Sequence, residues 1–289
     1  MPSFINTFGE VKEVSVYMND AEKKIRIIYI KNNNEYRKVF SAFKMPYEGV
    51  TWSKATDEQI IAMLDAHYAG EIDIHDYWHV GDERVIHIAA HAGVAPDSAN
   101  PAQDVVMVLM NVGGKDLVSP INGITECAFI VGQKDCLSVR GRIHKYSTNK
   151  ALWQNSARRS WCNTTYYNAI PESIRPIFKM HINKTSQANV INSLYVTNDY
   201  FSIASQHEVL NITTDANASE SENAMFEYYA TASHRKKYFG VARSSAAQYW
   251  TRTPSKRNGS NMNYINNSGT GRGQTVWASS YGIAPFGVI

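Results

Sequence analysis

The stretch Asp104-Val-Val-Met-Val-Leu-Met-Asn111 constrains this chain most. It does not alternate apolar with polar residues, and it is far too short to cross a bilayer. A continuous apolar run of this length reads as a buried central strand with cover on both faces. Of the 289 residues, 44% are apolar, which is ample for that cover and excludes general disorder. The length allows one large domain, or one large and one small. Only 19% of residues are charged, so Asn, Ser, Thr and Tyr supply much of the polarity. Such a surface hydrogen-bonds and stacks more than it forms ion pairs.

Other elements follow from local patterns. Val11–Tyr17, Lys24–Ile30 and Glu35–Phe40 read as β runs, separated by turns at Asn19–Glu22 and Asn32–Asn34. Residues 1–46 are therefore expected to form a small β unit. Thr56-x-x-Gln59 is a capping box before Ile60, Ile61, Met63 and Leu64, and Gly70 is a stop, which predicts a helix over 57–68. Strands are expected at Val85–Ala90 and Cys127–Val131. A second helix is expected over Ser156–Ala169, with Trp161, Thr165, Tyr166 and Ala169 on one face, and a short helix from Pro171 through Ile174. A third helix is expected over Ser219–Ala230. Beyond it, Gln248–Arg252, Met262–Asn266 and Ile283–Val288 are short strand candidates. Helices first and a loop-rich β region last make an α+β chain.

The chemistry-bearing residues do not assemble into a recognisable active site. His75, Asp76, His79 and Asp82 crowd one stretch, but Tyr77, Trp78 and Gly81 break the helix face that a two-histidine metal site needs. That stretch reads as a turn, with Asp82 capping or hydrogen-bonding the turn that follows. Val112-Gly-Gly-Lys115 lacks the spacing of a phosphate loop, Gly269-x-Gly-x-Gly273 is too short for a dinucleotide fingerprint, and Gly-x-Ser-x-Gly is absent. Cys127, Cys136 and Cys162 lack the paired spacing of a disulfide framework or zinc site, and read as buried thiols made in a reducing cytoplasm. No enzyme activity, cofactor or metal is expected. No apolar run reaches 18 residues, and the opening Met1–Gly9 has no leader pattern, so neither a membrane span nor a signal peptide is expected.

The net charge of +3 hides an uneven distribution. Residues 1–227 hold 21 Lys+Arg and all 26 Asp+Glu, giving −5, whereas 228–289 hold eight Lys+Arg and no carboxylate side chain, giving +8. The basic residues are scattered and no nucleic-acid motif accompanies them, so nucleic acid is not the expected partner. Within this region, Tyr249-Trp-Thr-Arg-Thr-Pro254 and Trp277–Ile289 flank a polar span rich in Asn, Ser and Gly. That composition suits a binding loop held at both ends by buried aromatics. Lys256, Arg257, Asn258, Asn261, Asn263, Tyr264 and Arg272 are the candidate ligand contacts, and Trp277 is a candidate stacking platform. Trp250 and Arg252 are assigned to the scaffold.

The same residues carry a family resemblance. Trp250-Thr-Arg252-Thr-Pro254, the polar span and the ending Tyr281-Gly-Ile-Ala-Pro-Phe-Gly-Val-Ile289 resemble a domain of unknown function found in phages and prophages of gut bacteria. There the pattern is Trp-x-Arg-Ser-Pro, a variable stretch, and Gly-(Val/Ile)-(Arg/Ala)-Pro-(Ala/Phe)-x-x-Ile. Thr51-Trp52, Tyr77-Trp78-x-Val-Gly-Asp-Glu-Arg84, Val131-Gly-Gln-Lys134, Ala157-Arg-Arg-x-Trp-Cys-Asn163, Ala169-Ile-Pro171 and Tyr200-Phe201 agree with it. The resemblance spans 47–289 and leaves out 1–46.

It implies a C-type-lectin-like fold of the kind seen in diversified phage receptor-binding proteins and formylglycine-generating enzymes, with the ligand face in 250–281. Calcium-site signatures of lectins and the C-terminal cysteine pair of those enzymes are absent, so the fold carries over without that chemistry. The implied function is a phage virion structural protein, a tail or fibre-tip adhesin that binds a bacterial host-surface receptor, a glycan or a protein. Such a chain is made in the host cytoplasm and resides in the virion. Residues 1–46 would dock it to other virion proteins or to further copies, as a homo-oligomer. The alternative is a decoration or adaptor protein of capsid or tail. The carboxylate-free terminus adds the expectation of an anionic glycan as receptor and of salt-sensitive attachment.

Overall fold

The computed structural model describes residues 14–18, 25–32, 35–40, 47–146, 150–186, 194–211, 224–255 and 258–289. The chain divides into two compact units, Met1–Gly49 and Val50–Ile289. In the first, β1 (Val14–Met18), β2 (Ile25–Asn32) and β3 (Glu35–Phe40) form an antiparallel sheet in that order. Val14 pairs with Ile30, and Asn32 with Glu35. The expected turn at Asn19–Glu22 lies outside the described residues, as do Asn33 and Asn34 of the second turn.

The second unit is α+β, mostly sheet with few helices. Its core is a five-stranded antiparallel sheet. The order is β4 (Glu83–Ile88), β5 (Gln103–Val112), β8 (Phe129–Gln133), β17 (Pro285–Val288) and β11 (Phe201–Ile203). The long apolar run is β5, and Val105, Met107, Val108, Leu109 and Met110 are all buried on it. Edge strand β4 alternates instead: Ile86 and Ile88 are buried while Val85 is 61% exposed. Close approach in the middle of the sheet requires Gly132 on β8, since a Cβ there would sit 2.6 Å from the Met110 sulfur.

Helix α1 (Asp57–Tyr68) occupies the predicted residues. The Thr56 hydroxyl accepts from Gln59 N at 3.2 Å, and the Gln59 side chain accepts from Thr56 N at 2.9 Å. Such a cap contributes about 1 kcal/mol. Gly70 takes φ +72°, a left-handed turn that suits glycine and stops the helix. The turn before β4 is present as expected, but Asp82 closes it from its end and does not serve the turn that follows. Asp82 accepts from His79 N at 2.9 Å, and its carbonyl accepts from Leu109 N at 3.0 Å, handing the chain to β5's partner strand. His75 turns away from that group, with its ring 4.9 Å from Phe129. Among the described residues no three His, Cys, Asp or Glu side chains converge as a metal site.

The second predicted helix is broken into α2 (Ala157–Trp161), a π-helical turn Cys162–Tyr166, and α3 (Tyr167–Ala169). The break coincides with Asn163, whose Nδ2 donates to Arg159 O at 3.0 Å and to Phe201 O at 3.1 Å, while its Oδ1 accepts from Tyr200 N. One side chain thus bolts the helix to β11, and a π-turn is the local widening that lets it reach. Tyr166 from the same turn accepts from Gln133 on β8 at 2.7 Å and packs on Phe201 at 5.0 Å.

Two expectations are corrected. The short helix through Ile174 is a plain turn, followed by a 3₁₀ turn at Arg175–Ile177. The helix expected over Ser219–Ala230 is absent from its described part: Phe226 is extended and only Glu227–Ala230 form a 3₁₀ turn, while 219–223 lie outside the described residues. Adjacent Tyr228 and Tyr229 are both buried, with Tyr228 stacked 4.2 Å from His234 and Phe226 5.3 Å from Phe286. Phe226 and Tyr228 are drawn to different neighbours, so tertiary packing overrides the local pattern.

A second antiparallel sheet runs β10 (Leu194–Asp199), β9 (His181–Ser186), β6 (Asp116–Ile121) and β7 (Ile124–Glu126). Strands β12 (Lys237–Tyr238) and β13 (Ala246–Ala247) pair on their own, and β14 (Tyr249–Pro254), β15 (Asn261–Ile265) and β16 (Gly271–Thr275) form a three-stranded sheet. No helix among the described residues is long and apolar enough to cross a membrane. All three cysteines are buried free thiols, and burial pushes each up to about 12.

If β5 is a buried interior strand of the core sheet, Leu109→Ala should destabilise the protein by about 2–5 kcal/mol. Chemical denaturation measures this, and a change under about 1 kcal/mol would contradict the assignment.

Candidate functional site

Strand β14 carries Trp250-Thr-Arg252, and all six of its residues are buried. Arg252 is fully buried and forks onto Glu208, also fully buried: NH1 donates to Oε2 and NH2 to Oε1, each at 2.6 Å. Lys115 Nζ donates to the same Oε1 at 2.5 Å. Glu208 also caps its own helix, α4 (Gln206–Leu210), by accepting from Ser205 N at 2.7 Å. Arg252 finishes its bonds on Thr185 Oγ1 and the Ile203 carbonyl. One carboxylate therefore gathers β14, α4, β9, β11 and the start of β6. Burial alone would raise the Glu208 pKa, but Arg252 and Lys115 outweigh it and hold the carboxyl well below the usual range. Nearby His181 is pushed down to about 3 by burial, reinforced by Lys115.

Glu208 and Lys115 escaped the sequence reading. The capping-box spacing Ser205-x-x-Glu208 was available as a signal. Nothing local could pair Glu208 with Arg252, 44 residues away.

The polar span is more structured than a displayed loop. Asn263 is corrected from contact residue to core: it is fully buried, and its Nδ2 donates to Gln206 Oε1 at 2.7 Å. Its strand is the middle of three, so alternate side chains must point inward. Other asparagines serve turns. Asn258 is exposed, but its Oδ1 accepts from Ser260 N at 2.9 Å; Asn266 Oδ1 accepts from Ser268 N and Thr270 N. These are side-chain mimics of backbone turns, the local chemistry Asn favours. Asn261 is half-buried. Gly271 lies so close to α4 that a Cβ would overlap the Gln206 amide.

The opposite face of the sheet is accessible only in part, since Met262 and Trp250 on it are buried. Tyr264 pairs across strands with Arg272, and Met262 with Gln274, so Arg272 and Gln274 share the Tyr264 side. Tyr264 is half-buried, 4.5 Å from Tyr281, whose hydroxyl accepts from Gln274 Nε2 at 3.2 Å. Tyr281 in turn contacts buried Trp250 at 4.5 Å. Arg272 is exposed, and Trp277, just past β16, is 48% exposed. The structure thus leaves Asn258, Asn261, Tyr264, Arg272 and Trp277 with access to solvent, and brings Tyr264 and Arg272 together. Lys256 and Arg257 lie outside the described residues.

The class defined by these features is an α+β domain with a small C-terminal sheet rooted in a buried ion cluster. The chain belongs to the family described as Domain of unknown function (DUF6273), which matches residues 129–289 and so includes Glu208, Arg252 and the whole of that sheet. No curated protein and no solved structure matches the chain.

Glu208→Gln should destabilise the fold by about 3–5 kcal/mol, because two buried cations lose their counter-charge; equilibrium denaturation tests it. The unfolded chain protonates His181 near its ordinary 6.5, the folded one only near 3. Its contribution is therefore complete above about pH 6.5 and is lost as pH falls toward 3. A denaturation series across this window should slope downward, and His181→Gln should make the slope shallower; an unaltered slope would refute the assignment.

Proposed function

We propose that the protein is a phage virion component that binds the bacterial surface through the accessible face of the β14–β16 sheet, with residues 1–46 serving as the docking unit. The observation that carries this reading is the charge layout. Residues 228–289 hold no carboxylate side chain, and Arg272 and Trp277 stand exposed on a sheet whose root is rigidly tied down. An exposed cation and an exposed indole in one carboxylate-free region suit an acidic glycan, which offers both charge and an apolar sugar face.

We also infer that residues 50–289 follow a C-type-lectin-like arrangement. Supporting this, β17 returns from the chain's last segment into the five-stranded sheet between β8 and β11. That return leaves the preceding β14–β16 segment as a separate small sheet.

The combined variant Arg272→Ala/Trp277→Ala should weaken binding to teichoic acid or acidic lipopolysaccharide by at least about ten-fold, one to two lost contacts. Raising salt until the Debye length falls from about 10 Å to about 3 Å should weaken the unaltered protein similarly. Biolayer interferometry on both polymers reads both effects. Unchanged binding in the variant would reject this face. Absence of binding to either polymer, with residues 258–277 protected inside purified particles, would favour the decoration or adaptor role.

A further inference from the structure

We infer that a cleft beside the α2–π–α3 segment is a binding site for one neutral saccharide unit. The cleft encloses about 370 Å³, within the range of small-molecule sites, ~300–1,000 Å³. None of its lining residues belongs to the β14–β16 sheet, and it does not depend on the attachment reading.

Its lining is almost wholly uncharged and hydrogen-bonding. Gln154 and Asn198 bring amides, Thr164 brings a hydroxyl and Tyr200 brings an aromatic ring, while the Asn163 amide is already hydrogen-bonded within the protein. Arg159 is the one charged lining residue, and its Nε donates at 2.6 Å to Asp199, which is fully buried. The same carboxylate accepts from Asn163 at 3.0 Å and Thr197 at 2.8 Å. Two more guanidinium bonds, to Gln154 O at 3.2 Å and Asn198 O at 3.0 Å, lock the Arg159 side chain across the cleft. Arg159 and Asn163 are therefore fixed before any ligand arrives, and the charge is met from below. Preorganised, neutral donors and acceptors favour a ligand rich in hydroxyls over an anion.

Two further observations fit a sugar. Tyr200 is stiffened by stacking on Tyr167, with ring centroids 4.5 Å apart at 23°. Rigid aromatics beside polar side chains match the apolar and polar faces of a pyranose. The Gln154 side-chain oxygen is buried and has no hydrogen-bond partner among the described residues. A buried acceptor left unpaired is unfavourable, and a ligand hydroxyl can pair it once the side chain turns outward.

The test uses the full chain with methyl glycosides of glucose, galactose, mannose and N-acetylglucosamine, read by ligand-observed saturation-transfer NMR and titration. At least one should bind, with an affinity that does not change when salt is raised. Gln154→Leu should weaken it at least about ten-fold. Thr164→Arg fills the cleft from an exposed position and should abolish binding with the fold intact, which keeps the test decisive if Gln154→Leu folds poorly. Arg272→Ala/Trp277→Ala should leave it unchanged, separating this site from the attachment face. No binding of any of the four, or binding untouched by Thr164→Arg, would overturn the proposal.

Discussion

The fork between Arg252 and Glu208 is the interaction on which the C-terminal half depends. Both groups are fully removed from water, where an ionised side chain survives only if paired and hydrogen-bonded. Every acceptor position of Glu208 that the geometry offers is used: Arg252 twice, Lys115, and the backbone of its own helix. The bidentate geometry adds direction to charge, so the pair fixes the angle at which β14 meets α4. Gln206, next along that helix, then holds Asn263 on β15. The accessible sheet face is in this way an extension of a buried electrostatic joint.

A repeated design emerges elsewhere in the unit. Asp97, nearly buried, accepts from Arg142 Nε at 2.6 Å and from Arg158 at 3.3 Å. Asp199 gathers Arg159, Asn163, Asn183 and Thr197. Arg84 reaches Asp57 at 2.7 Å and the carbonyls of Trp52 and Ala55. Short strands and brief helical turns have little cooperative stability of their own. Buried or half-buried ionic joints between them supply orientation where long elements are absent. The motif residues that suggested a family relationship, Trp52, Arg84, Asn163 and Arg252, sit in or against these joints.

Local signals were legible wherever one element decided its own fate. The Thr56 capping box placed α1 and the apolar run placed β5. Legibility failed where a side chain's partner lay far along the chain. Asn263 looked like a loop contact because its sequence neighbours are polar, yet it is interior because α4 presents an amide to it. The helix expected through Ala230 gave way because Phe226 packs on Phe286 while Tyr228 stacks on His234. Asn258, read as a ligand contact, also satisfies a backbone donor in its own turn, as Asn266 does in the next.

By itself the sequence determined a chain with a covered central strand, a capped first helix, and a last fifth without carboxylate side chains. These are properties of composition and short-range spacing, and they hold whatever the fold does. Only the tertiary structure decided which basic and aromatic residues of that last fifth remain accessible. It buried Arg252 and Trp250, left Arg272 and Trp277 outside, and turned Asn263 inward. The reason is desolvation. Burying a charge is tolerated only opposite a specific partner, and the partner of Arg252 is brought by α4, an element 44 residues earlier that no local pattern links to it.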